Sequence, residues 1–250
     1  IGAGLVGQIA AQILNLAGCR VLVFDLNSNR LKIAEYGGAE LTCDLSDGNP
    51  TEVVKDITNG RGCDSILIAA ATSTSEPLQL AAELARDRAI ISLVGMIGTD
   101  FSYRDFMQKE LSVIVSRSYG PGRYDKDFEG RGLTYPVGFI PWTETRNLQE
   151  IIRRMSRKRD NRLAVEPLIS HRFPFKEANS AYDLVINHTE PHLGVVLDYE
   201  HEKLKHGGGL RIPVHVSRVK KNNTCVLGVI GAGVFAKTIL LPQLLKRKHC

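Results

Sequence analysis

From Gly4 to Ala17 the apolar residues Leu5, Ile9, Ile13 and Leu16 recur at helical spacing, and Gly18 follows where a helix often ends. That stripe predicts an amphipathic helix. Arg20 to Asp25 (RVLVFD) is a near-continuous apolar run, as expected of a strand buried on both faces. Ser28 to Tyr36 reads as a helix closed by Gly37-Gly38, and Pro50 to Thr58 as another with proline in its first turn. Asp64 to Ala71 is a further strand, Ser75 to Arg86 a helix, Ala89 to Gly95 a strand, and Leu111 to Ser116 closes the series. Strands that alternate with helices of about ten residues imply an α/β chain with a doubly wound parallel sheet.

After Ser116 the regular alternation stops. Arg117 to Arg146 is rich in aromatics, glycine, proline and charge, without a clean period. Leu148 to Met155 and Phe175 to Ile186 read as helices, and Leu193 to Tyr199 as a strand. His201 to Asn223 is polar and basic, contains three consecutive glycines, and has the texture of a linker. Cys225 to Ile230 reads as a new strand, followed by one apolar helix. The expected organisation is therefore a first module at 1–116, an aromatic-rich segment and return at 117–200, a linker at 201–224, and the start of a second module at 225–250. Ile1 stands where the last residue of a strand belongs, so the first module is expected to be truncated in its opening strand, and the second to be cut short after its first helix.

Composition narrows the class. With 250 residues and 43% hydrophobic content the chain can build a real core. The longest apolar stretches, such as Ile66 to Ala71, have strand length and fall far short of a membrane helix. The net charge of +5 comes largely from Arg153 to Arg162 and Lys203 to Lys221, blocks that suit solvated faces or linkers better than nucleic-acid binding. Five cysteines are scattered without CxxC spacing, which fits reduced thiols in a cytoplasmic protein and supplies no metal site.

The chemistry lies in two short, similar stretches. Gly2, Gly4 and Gly7 match GxGxxG, and Ile230, Gly231, Gly233 and Ala236 repeat the pattern in its GxGxxA form. The first glycine of such a turn makes the strand-to-helix bend, the second admits a pyrophosphate, and the third lets the helix pack on the sheet. The helix start then offers free amides and a positive dipole end to phosphate. In the first copy a buried strand ends in Asp25, where an acidic side chain accepts hydrogen bonds from the adenosine ribose. A carboxylate there repels a 2′-phosphate, which favours NAD over NADP. Arg30 could soften that preference or sit on the outer face of its helix. The pattern makes this a Rossmann-type sheet, truncated at its first strand and followed by the start of a second Rossmann-type domain. The acidic partner of the second turn would lie past Cys250, so that turn alone cannot hold a cofactor.

Weaker candidates surround this core. Thr72 to Ser75 end a strand at the carboxyl edge, where ligands of such sheets bind, although Ser75 suits a helix cap equally well. Val94, Gly95 and Met96 end the next strand, near where a nicotinamide would lie. Arg117, Tyr119, Arg123, Tyr124, Tyr135, Trp142 and Arg146 suit recognition of carboxylate, phosphate or sugar hydroxyls, or a packed structural loop. His171 suits a structural role better than a catalytic one. No Ser/His/Asp set, carboxylate pair or HExxH is visible.

On GAGLVG at Gly2 to Gly7, VLVFDLNSNRLKIAEYGGAE around Asp25, LVGMIG at Leu93 to Gly98 and LISHRFPFKEANSAYDL at Leu168 to Leu184, the chain to about Tyr199 resembles the cofactor half of the medium-chain, zinc-type alcohol dehydrogenases, in the sorbitol and threonine dehydrogenase branch. CVLGVIGAGVFAKTILLPQL resembles the start of the Gfo/Idh/MocA oxidoreductases, and the order of the two is similar to two-domain fusion oxidoreductases. The resemblance implies an NAD-dependent oxidoreductase transferring hydride to or from an alcohol or sugar-type hydroxyl, with a small-molecule substrate, no nucleic-acid or membrane partner, and a homo-oligomer as one allowed state. The implied cofactor residues are Gly2, Gly4, Leu5, Val6, Gly7, Asp25, Leu26, Arg30, Val94, Gly95 and Met96. Catalytic residues and any zinc ligands are expected in a domain upstream of this chain, so the chain itself is expected to supply neither. His192 stands where the family often has a basic residue reaching the pyrophosphate. A non-catalytic dinucleotide-binding scaffold or sensor is the alternative reading.

Overall fold

The computed structural model describes residues 1–156, 162–199 and 229–246. The chain divides into two compact units, Ile1–Glu200 and His201–Cys250. In the first, α1 (Leu5–Leu16), β1 (Leu22–Asp25), α2 (Ser28–Tyr36), β2 (Leu41–Asp44), α3 (Pro50–Ile57), β3 (Cys63–Ile68), α4 (Glu76–Leu84), β4 (Ala85–Leu93), α5 (Tyr103–Gln108) and β5 (Ser112–Val115) follow in turn. All strand pairs are parallel: β1 with β2, and β3 with β4 with β5. The expected alternating α/β chain with parallel sheets is what the structure has.

The two sheets meet through two residues. The Ile1 nitrogen donates to Leu67 O at 2.8 Å, and Ala69 N–H donates to Ile1 O at 2.8 Å. On the other side Gly2 N–H donates to Phe24 O, also at 2.8 Å. Ile1 and Gly2 thus stand between β1 and β3, which makes the order β2-β1-(Ile1, Gly2)-β3-β4-β5. Beneath Ile1 a cavity of about 830 Å³ separates the two strands, lined by Val21 to Phe24 on one side and Cys63 to Leu67 on the other. Where Ile1 carries a free amino group, burial pushes it down to about 6, against a weaker upward pull from Asp25 and Cys63.

Both faces of the sheet are covered. Phe24, Ile66, Ile68, Leu78, Leu84, Ile91 and Phe106 form one apolar cluster; Ala3, Ala11, Val21, Val23, Leu31 and Ala34 form the other. Adjacent residues of β1, Val23 and Phe24, point into different clusters, which is why that strand reads as a continuous apolar run. At the far edge Val113, Ile114 and Val115 of β5 are exposed.

Three expectations need correcting. The stripe Leu5, Ile9, Ile13 and Leu16 is not the buried face of α1: Gly7, Gln8, Ala11 and Gln12 are. The face of α1 that packs inward thus carries two small residues and two amides. β4 begins at Ala85 rather than Ala89, because Cys63 pairs with Ala85 before the register shifts at Ser65. β2, α5 and a strand at Ile169–Pro174, which pairs with the expected strand near Leu193 to Tyr199, add elements to the alternation.

Beyond β5 come α6 (Lys126–Arg131), α7 (Glu144–Met155), β6 (Ile169–Pro174), α8 (Ala178–Asn187) and β7 (Gly194–Asp198), with β6 parallel to β7. The linker at 201–224 and most of the expected strand at 225–230 lie outside the described residues; Val229 and Ile230 are not in a strand. The second unit shows a π-helical stretch, Ala236–Leu240, running into α9 (Leu241–Leu245), with Pro242 lacking the amide that regular α-helical bonding needs. No helix among the described residues is long and apolar enough to cross a membrane.

Candidate functional site

The glycine turn is shaped by backbone crowding. Gly2 has φ +94°, and a Cβ there would lie 2.6 Å from Ala70 N. A Cβ on Gly7 would lie 1.9 Å from Gly2 O, and one on Gly95 would lie 2.0 Å from Ala70 O. Gly2, Gly7, Ala70 and Gly95 therefore form a seam in which three chain segments touch main chain to main chain. Gly4 differs, since a Cβ on it would meet open space. It is the N-cap of α1, has no side chain to cap with, and no acidic residue occupies the first turn. The first-turn amides, with Leu5 and Val6 exposed beside them, are left open to an anion.

Asp25 ends β1 beside this turn. Its Oδ2 accepts from Ala3 N–H at 2.5 Å and its Oδ1 from Asn27 N–H at 2.8 Å. Asn27 in turn caps α2 by accepting from the amides of Asn29 and Arg30. Leu26 is exposed next to it. At the end of β4, the amides of Val94 and Gly95 both donate to Ile68 O at 2.9 Å, and Met96 O accepts from Thr72 N–H at 2.9 Å. The seam brings the glycine turn, Asp25 and the Val94–Met96 end of β4 to one carboxyl edge of the sheet. Met96 projects into solvent there. The 830 Å³ cavity is a different feature, a slot between strands, and not this edge.

The arrangement can hold an anion at the head of α1 and accept hydrogen bonds at Asp25. Sequence reasoning missed one of its supports, Gln8, which sits at 1% exposure on α1. An amide interrupting an apolar helix face was the available signal. Ser75 holds the N-cap position of α4 but makes no side-chain capping bond; its hydroxyl accepts from Asp100 N–H at 3.0 Å.

The aromatic segment is occupied with itself. Arg123 pairs with Glu129 at 2.7 Å and lies over the Tyr124 and Tyr119 rings, and Arg146 lies over Trp142. Tyr135 donates to Asp125, which with backbone bonds from Phe128 and Asp127 holds that carboxyl below its usual range. His171 rests between Ser170 and Glu190, and His192 stacks on His188. No cluster of three His, Cys, Asp or Glu able to hold a metal occurs among the described residues.

Residues 6–130, half of the chain, match the family described as zinc-binding dehydrogenase, and the chain belongs to that family. Its relatives include L-threonine 3-dehydrogenase of Symbiobacterium thermophilum, 25% identical over 74% of this chain and 46% of that protein. Another is sorbitol dehydrogenase of Halalkalibacterium halodurans, 28% identical over 50% of this chain and 37% of that one. Among solved structures, the alcohol dehydrogenase rspB of Escherichia coli CFT073, determined with NADH, superimposes with a TM-score of 0.53 at 23% identity, covering 78% of this chain and 49% of that one. The chain spans less than half the length of the curated relatives it matches here. The likeness establishes a Rossmann-type fold and an oxidoreductase family.

Proposed function

We propose that the protein is an NAD-dependent oxidoreductase acting on an alcohol or sugar-type hydroxyl, and that this chain holds the dinucleotide. The observation that carries the reading is the meeting of Asp25 with the glycine turn at the open head of α1. The residues fit the cofactor: Gly4 and the amides of Leu5, Val6 and Gly7 suit the diphosphate, Asp25 with Leu26 and Arg30 the adenosine end, and Val94, Gly95 and Met96 the nicotinamide end. Bound NAD supplies the hydride acceptor; the chain binds and orients it. Zinc, implied by the family's name, finds no ligand set among the described residues, and no step here is routed through it. The free thiols Cys19, Cys43 and Cys63 fit a cytoplasmic setting. The turn at Gly231, with φ +79° and a helix after it, supports a second, Gfo/Idh/MocA-like module beginning there.

Titration with NADH and NADPH tests the reading. Asp25→Ala in the intact protein should weaken NADH binding about tenfold and narrow the preference over NADPH, since it removes both the ribose acceptor and the charge that repels a 2′-phosphate. An unchanged preference would count against the assignment. Binding without turnover of any alcohol or sugar would favour the scaffold reading.

A further inference from the structure

We infer that Gln8 is a positioning residue for the dinucleotide site, setting the shape of the glycine turn from inside the core; this rests on the dinucleotide binding proposed above. Gln8 follows Gly7 on α1 and is 1% exposed. Its Nε2 donates to Ala3 O at 3.2 Å and to Arg30 O at 2.7 Å. One buried amide thus ties the middle of the glycine turn to the first turn of α2. The nitrogen must face these two carbonyls, because an oxygen in its place would meet two acceptors and no donor. Gln8 Oε1 has no partner. A buried, unpartnered amide oxygen costs stability, and Met or Leu would fill the same space without that cost. Packing alone gives no reason for glutamine here; the two donated bonds do.

Those bonds fall on a residue that Asp25 also holds. Ala3 is wholly buried, its N–H donates to Asp25 Oδ2 and its carbonyl accepts from Gln8. It stands between Gly2 and Gly4, the least restrained residue type. Fixing the peptide groups on either side of Ala3 sets the direction of the amides that follow at the head of α1. The bond to Arg30 O fixes the wall next to Asp25 and Asn27. The diphosphate side and the ribose side therefore keep one spacing before any ligand arrives, which lowers the ordering cost of binding. Gln12, one turn on, makes the contrast: it donates to Ala164 O at 3.0 Å, accepts from Ala164 N–H at 2.8 Å, and touches nothing in the turn.

The test compares Gln8→Met, Gln8→Glu and Gln12→Met in the intact protein, reading NADH affinity by fluorescence titration and stability by urea unfolding. Gln8→Met should raise the NADH dissociation constant roughly tenfold while stability holds or rises. Gln8→Glu, which can donate at most one bond and only when protonated, should not restore both contacts or the affinity. Gln12→Met should lower stability and leave NADH affinity within twofold. Combined with Asp25→Ala, the Gln8→Met loss should be less than multiplicative, since both act through Ala3. Wild-type affinity in Gln8→Met overturns the inference, as does a Gln8→Met protein that loses affinity only in step with stability or fails to fold. Wild-type protein that binds no NADH overturns the functional reading itself, and this inference with it.

Discussion

Two glycines in one turn do different work, and substitution separates them. Gly7 is required by the fold: an added Cβ would press to 1.9 Å from the Gly2 carbonyl, which is main chain and cannot swing away. Gly7→Ala should destabilise the protein by about 1–3 kcal/mol or more, and lose NADH binding with it. Gly4 is free of the protein. Its φ of −67° suits any residue, and a Cβ there meets nothing. Gly4→Ala should therefore leave the urea midpoint unchanged while weakening NADH, because the methyl group points into the space a diphosphate would take. Equal loss of stability in both variants would refute the division. Nothing in the spacing of GxGxxG separates these roles, because they depend on what lies across the turn.

At the scale of elements, α4 ends on a single side chain. Lys109 Nζ donates to Ala82 O at 2.7 Å, Glu83 O at 3.0 Å and Ala85 O at 2.8 Å, satisfying carbonyls that a helix end leaves open. Lys109→Met, which keeps the stem and removes the donors, should cost about 1–3 kcal/mol in urea unfolding without changing NADH affinity. Neither this lock nor the exact end of α4 can be read from the sequence, because partner carbonyls and donor are far apart in the chain. Elements with a local signal were legible: the end of β3 (residues 66–68) and the latter part of β4 are apolar runs, and α2 is closed by Gly37. β2 is four residues long, with Leu41 exposed, so no run marks it. Of the first residues of β4, Arg86 to Arg88 are charged, and only Ala85 pairs with β3, through Cys63. For the candidate site, the turn and Asp25 were legible because both follow from local backbone needs. Gln8 was not, since its partners come from α2 and the turn at once.

For the whole molecule, a chain whose amino group is that of Ile1 would have its stability tied to pH at the junction there. The two halves of the sheet meet where the Ile1 nitrogen donates to Leu67 O inside the sheet. Desolvation there disfavours an ammonium, so a free amino group on Ile1 is pushed down to about 6 in the folded chain from 8.0. Between these values the unfolded chain binds the proton and the folded chain does not, so stability rises with pH across that window. Below pH 6 both states are protonated and the folded state carries the full penalty; above pH 8 both are neutral and it carries none. A two-unit difference is worth up to roughly 3 kcal/mol. A chain with Ile1 as its free amino terminus should therefore show a urea midpoint that climbs from pH 6 to pH 8, and N-acetylation, which leaves nothing to protonate, should flatten that climb. A midpoint equally steep in the acetylated chain would place the titrating group elsewhere and remove the amine from the account of how the two halves are joined.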